Sequence, residues 1–178
     1  MPDLLHAIVA GTFSPMLGSL SNVLDKGEQH AIIRGWTADR LPKSRLAPDM
    51  FTLTQQVQAA CHQAQDQVGM LIGQPQIEFK DAETTIADLK TRILRAQTFL
   101  DGLEAAAFEG AAERRISFPL GGSGMLFEAD GLTFLRDWTM PNFYFHVVTA
   151  YDILRNNGVE IGKLDYMGHV RPLIRQAG

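Results

Sequence analysis

Apolar and small residues recur from Leu5 at Val9, Phe13, Met16, Leu20, Val23 and Gly27, steps of four and three that put one stripe on a long first helix. Gly11, Ser14, Pro15 and Gly18 weaken its propensity, and Pro15 lacks a backbone donor, so the pattern predicts a kink between Gly11 and Pro15 and an end at Arg34-Gly35. Trp36 to Ala47 has no sustained period and reads as a connection. A second stripe, Leu53, Val57, Ala60, Ala64, Val68 and Leu71, predicts a helix opened by Pro48-Asp49, with Asp49 accepting from first-turn amides, and closed by Gly73 and Pro75. The third stripe is the cleanest: Ile86, Leu89, Ile93, Ala96, Leu100 and Leu103, after Thr85 with Asp88 three residues on, a capping-box start.

"RRISFPLGGSGMLFEADG" then places two short apolar runs around a glycine-rich turn, the pattern of a β-hairpin, and Pro119 confines its first strand to an edge. Residues 131–139 fit a short helix or an extended approach equally well. Pro141 suits a first turn, so the last long helix is predicted from there through Arg155, stopped by Asn156-Asn157-Gly158. The tail after Val159 is expected to pack over the helices. Four long helices with a hairpin between the third and fourth make an all-α bundle, and 178 residues suffice for a single domain over 1–178, which at this length buries roughly 70% of the surface of its unfolded chain.

Composition narrows the function classes. A net charge of -4 without a basic stripe gives no electrostatic footprint for nucleic acid. No uninterrupted apolar run reaches the roughly 18 residues of a membrane span, and no export signal opens the chain, so a cytoplasmic protein with no membrane partner is expected. Cys61 is the single cysteine, which suits a reducing compartment. "GGSG" lacks the Lys-Ser/Thr of a phosphate loop and reads as a turn. With no basic neighbour in sequence, Cys61 reads as a buried, inert thiol.

The histidines are where chemistry is sought. His6 reads as a boundary residue of the first helix, His30 as looking into one end of the bundle, His169 as solvated, and His62 as an exposed partner of Asp66 one turn on. His146 lies in an aromatic and aliphatic run, with Asn142 one turn before it and Thr149 three residues after it on the same face, and Tyr151 five residues on. Three roles stay open for it: a hydrogen-bonded core residue, a small-molecule or acid-base site, and a metal ligand. As a ligand Asn142 offers only a neutral carbonyl oxygen where zinc or nickel favours imidazole or thiolate.

"RLAPDMFTLTQQVQ", "AAFEG" and "MPNFYFHVVTAYDILRNNGVEIGKLDYMG" together resemble a bacterial family of unknown function within the DinB/YfiT-like superfamily, from the first helix to Gly168. The resemblance implies an up-down-down-up four-helix bundle and a homodimer. It also implies relatives that bind a divalent metal through three histidines, some of them transferases that use a thiol. By that resemblance the last helix supplies two histidines one turn apart; here His146 matches the second and Asn142 stands in place of the first. The third ligand, from the second helix, falls near Ala60 or Cys61, with His62 offset from it.

The leading expectation is a cytoplasmic homodimer with a polar pocket around His146, Asn142, Tyr151 and Thr149 that binds a small molecule without a three-histidine metal site. The alternative is a zinc- or nickel-dependent enzyme of the thiol-transferase or hydrolase type, with His146, Asn142, Cys61 and His62 as weak metal candidates. A structural or interaction role is the third reading. Leu4, Ile8, Leu17 and Leu24, beside the main seam of the first helix, are expected to face the second copy.

Overall fold

A computed structural model describes residues 2–74, 80–122 and 124–175. The expected helix closure at Pro75 and the centre of the glycine-rich turn at Ser123 lie outside the described residues. The chain is mostly helical with one two-stranded antiparallel sheet.

The first helix, Pro2–Ile33, runs unbroken through Pro15. Its length and an 18-residue window of mean hydropathy 1.3 are enough to cross a membrane by composition alone, and half of that window is buried inside this fold. Leu17 and Leu24 are core residues, so of the four expected to face a second copy only Leu4 is a large exposed side chain. The apolar character of this helix goes into packing against the third and fourth helices, with Phe13 edge-on to Phe143 at 4.7 Å.

The second helix spans 53–72 and starts later than the sequence pattern suggests. Thr52, not Asp49, caps it: Thr52 Oγ1 accepts from the Gln55 amide and the Gln55 side chain accepts from the Thr52 amide. Pro48 and Asp49 sit in a turn closed by Met50 N donating to Ala47 O. Leu53–His62 is α-helical, Gln63–Gln67 widens into a π turn, and Val68–Ile72 resumes the α pitch up to Gly73, whose φ of +78° suits glycine. This helix is enclosed on nearly every side: Gln56, Gln58, Gln63, Gln65, Asp66 and Gln67 are all buried alongside its apolar seam.

The third helix, Ile86–Asp101, has the expected Thr85–Asp88 capping box. Strands Arg115–Leu120 and Met125–Asp130 then pair with Pro119 opposite Leu126, and in a two-stranded sheet both strands are edges. Phe118 and Phe127 stack across the hairpin at 5.0 Å and pack onto Phe134 and Trp138.

That contact settles the ambiguous segment. Residues 131–139 are helical: Asp130 Oδ1 accepts from Thr133 N at 2.8 Å, Gly131–Thr133 begins the fourth helix, Phe134–Thr139 is a second π turn, and Met140–Asn156 continues it. Pro141 therefore lies inside the helix, just past the wide turn. The helix ends at Asn157 and Gly158, the latter at φ +84°. Beyond it, Asp165 accepts from Lys26 and Arg171 and ties the tail to the first helix.

Candidate functional site

Helices two and four pass one another so that Gln56 meets His146 and the two π turns pack together. The partner of His146 is thus on the facing helix, one turn into helix two. Gln56, 1% exposed, lies 2.7 Å through Oε1 from His146 Nδ1, while its Nε2 donates to Phe51 O at 3.4 Å. The second bond fixes which end of the amide faces the imidazole. An amide oxygen only accepts, so Nδ1 carries the proton, and in the neutral ring Nε2 keeps its lone pair. Burial holds the His146 pKa below the ordinary histidine value, and the nearby His62 adds to the effect. The half-exposed Phe51 lies parallel to the imidazole at 6.2 Å and Phe145 stands edge-on at 5.4 Å, giving the half-buried ring an aromatic rim. Among the described residues, His146 Nε2 has no hydrogen-bond partner.

The other expected site residues go elsewhere. Asn142 Nδ2 donates to Trp138 O at 2.7 Å, serving the end of the wide turn, and among the described residues no hydrogen bond joins it to His146. Thr149 Oγ1 donates to Phe145 O, its own preceding turn. Tyr151 Oη lies 3.5 Å from Ile161 O, and its ring sits against Tyr166 under the tail. The expected constellation therefore reduces to His146 alone.

Two other groups surround the second helix. His62 Nδ1 is 2.5 Å from Asp66 Oδ2, and its Nε2 is 3.0 Å from Gln67 Nε2. This is a half-exposed histidine on a buried carboxylate rather than the exposed pair the sequence suggests. On the face toward the third helix, Arg92, 4% exposed, donates to Asp81 at 2.8 Å and to Glu83 at 3.0 Å, and Gln58 donates to the same Glu83. Burial works against the Glu83 charge, but the bonds from Gln58 and Arg92 outweigh it and hold its pKa below the usual carboxylate value. Cys61 lies beside this cluster, and burial pushes its thiol up to about 12 despite the pull of Arg92. His6 Nε2 donates to Leu103 O, His30 packs on Trp36, and His169 is exposed with its Nδ1 3.4 Å from Ser19 Oγ.

The family described as Domain of unknown function (DUF1993) matches residues 5–167. This chain belongs to the DUF1993 family. A solved structure of a DinB family member protein from Shewanella denitrificans is 39% identical over 99% of this chain and 97% of its own length, with a TM-score of 0.88. No curated protein matches.

The metal site of the superfamily resemblance can be tested on the donors this DUF1993 chain presents. His146 offers one nitrogen. Asn142 is turned to a backbone carbonyl, His62 has both ring nitrogens engaged, and the Cys61 thiol, beside Arg92, is held protonated by burial. Among the described residues no three His, Cys, Asp or Glu side chains gather around one point. These residues do not fit a three-nitrogen or thiolate centre.

The residue that the sequence reading missed is Gln56. Its signal was present: Gln56, Gln63 and Gln67 follow steps of seven and four, a polar stripe with the same helical period as the apolar seam beside it.

Proposed function

We propose that this protein binds a small molecule bearing an N–H or O–H donor, taken up by the Nε2 lone pair of His146, in chemistry that needs no metal. One observation carries the reading: Gln56 reaches across from the facing helix to fix the tautomer of a neutral imidazole, leaving an acceptor at a half-exposed edge between two aromatic rings. Such a group accepts a hydrogen bond from a ligand or takes its proton as a base. The four long helices fit an up-down-down-up order, and the lone buried thiol suits a reducing cytoplasm.

Nitrogen-labelled histidine reports this directly by NMR. At neutral pH His146 is expected to show a protonated Nδ1 and a bare Nε2, and Gln56→Leu to mix the tautomers. A set of small donor-bearing fragments should include members that shift the His146 Nε2 signal, and none shifting it in wild type would remove the proposal.

Stability should also respond to pH in a defined direction. The folded His146 pKa lies below its unfolded value of about 6.5, so the unfolded chain binds more protons between the two. The contribution is fully present above the unfolded value and is lost as pH falls toward the folded one. Urea midpoints of wild type and His146→Gln are expected to diverge above pH 7 and draw together below it, and parallel curves would contradict this.

A further inference from the structure

The end of the first helix folds a tryptophan back toward the helix it follows. Gly35, at φ +64°, donates through its amide to Ile32 O, and Trp36 N donates to Ala31 O at 2.9 Å. That pair of bonds is a Schellman cap, which brings the residue after the glycine back onto the last turn. Arg40 then lies 3.9 Å over the Trp36 ring and His30 stands edge-on to it at 5.2 Å, so the indole is held on two sides.

Beside the indole is a crevice of about 150 Å³, bordered by the end of the first helix, the short helix Arg40–Lys43 and the start of the third helix. An apolar cavity of roughly that volume takes a benzene ring, so the guest that fits is far smaller than a nucleotide or a cofactor. Trp36, Leu41 and Ile86 give the crevice apolar walls, the last two buried. Glu28 is the one charged residue among those described that border it, and Thr85 borders it too.

The local charge selects a cation. Asp25 and Glu28 both lie near the Lys90 ammonium, which is bonded to Asp25, and among the described residues nothing donates to the Glu28 carboxylate. The start of the third helix, otherwise a positive end, is already occupied: Asp88 N donates to Thr85 Oγ1, and the Asp88 carboxylate accepts from the Thr84 and Thr85 amides. We propose that this crevice binds a small primary amine with a compact apolar body, its ammonium on Glu28 and its body against Trp36, Leu41 and Ile86. The crevice shares no residue with the His146 site and does not rest on the function proposed there.

Benzylamine at neutral pH, where an alkyl ammonium keeps its proton, is the probe. The chain has two tryptophans, so NMR shows two indole N–H signals, and Trp138, packed on Phe118 of the hairpin, is the internal reference. The Trp36 signal should shift saturably, half-way at about 1 mM, while Trp138 stays in place. Benzyl alcohol, of the same size without the charge, should bind about fivefold more weakly, and Glu28→Gln should weaken benzylamine by about the same factor. His146→Gln should leave the titration unchanged. The proposal is overturned if Trp36 shows no saturation up to about 10 mM, or if Trp138 shifts as much as Trp36. It is equally overturned if benzyl alcohol binds as well as benzylamine, if Glu28→Gln binds benzylamine unchanged, or if His146→Gln abolishes the shift. Should Glu28→Gln not fold, the comparison of amine with alcohol on the wild-type protein decides.

Discussion

Gly131→Ala is expected to destabilise the protein by about 3 kcal/mol or more, lowering the thermal midpoint by about 6–12 °C. A methyl group there would sit 1.9 Å from the Ala111 carbonyl oxygen and 2.9 Å from Leu71 Cδ1. The first is backbone, which no rotamer change relieves. Gly131 begins the fourth helix immediately after its Asp130 cap, and Leu132 N donates to Ala112 O, so the same clash forces the hairpin and the wide turn apart. Gly11→Ala is the matched control. It lies inside the first helix with nothing within 4 Å of an added methyl, so it should stabilise by about 0.5–1 kcal/mol. Urea unfolding of both variants checks the pair, and a loss below 1 kcal/mol for Gly131→Ala would mean that the contact relaxes.

Arg92→Ala carries the second large effect, a loss of about 3 kcal/mol. The guanidinium is nearly fully enclosed, and its loss leaves Glu83, 13% exposed in its side chain, without its positive partner, although Gln58 still donates to it. Breaking one side of such a pair costs more than the pair contributes, because the other charge stays in a poorly solvated place. A double-mutant cycle with Glu83→Gln should recover much of the loss. Acid titration gives an independent reading. The folded Glu83 pKa lies below its unfolded value, so its contribution is present above the unfolded value near 4.5 and is lost as pH falls through the folded one. Glu83→Gln should therefore flatten the decline in stability on acidification. If Arg92→Ala falls by less than about 1 kcal/mol, solvent reaches the cluster more freely than its burial implies.

The helices were legible because their apolar stripes are regular, and the third, with its Thr85–Asp88 box, was read closely at its start. The fourth was misplaced at its beginning for a physical reason. Pro141 has the missing donor of a first-turn residue, but a wide turn ahead of it also accommodates that loss, and local sequence does not distinguish the two. The same wide turn carries the Asn142 amide to Trp138 O, which broke the expected link to His146. His146 stood out in the sequence by its aromatic setting, and Phe51 and Phe145 flank its ring. Gln56 did not, since its bond to His146 joins residues 90 positions apart and depends on how two helices cross. Cys61 was correctly read as an enclosed thiol, although the Arg92 beside it comes from another helix and left no trace in the flanking residues.

The two wide turns have a consequence for how this scaffold varies. A π turn closes its hydrogen bond over one more residue than an α turn, so each of the stretches 63–67 and 134–139 carries a surplus residue without throwing the helix on either side out of phase. Removing that residue restores ordinary pitch and leaves the flanking apolar stripes in register. Homologues a single codon shorter at either place should keep the helical frame, so that the local surroundings of a wide turn can change while the architecture stays.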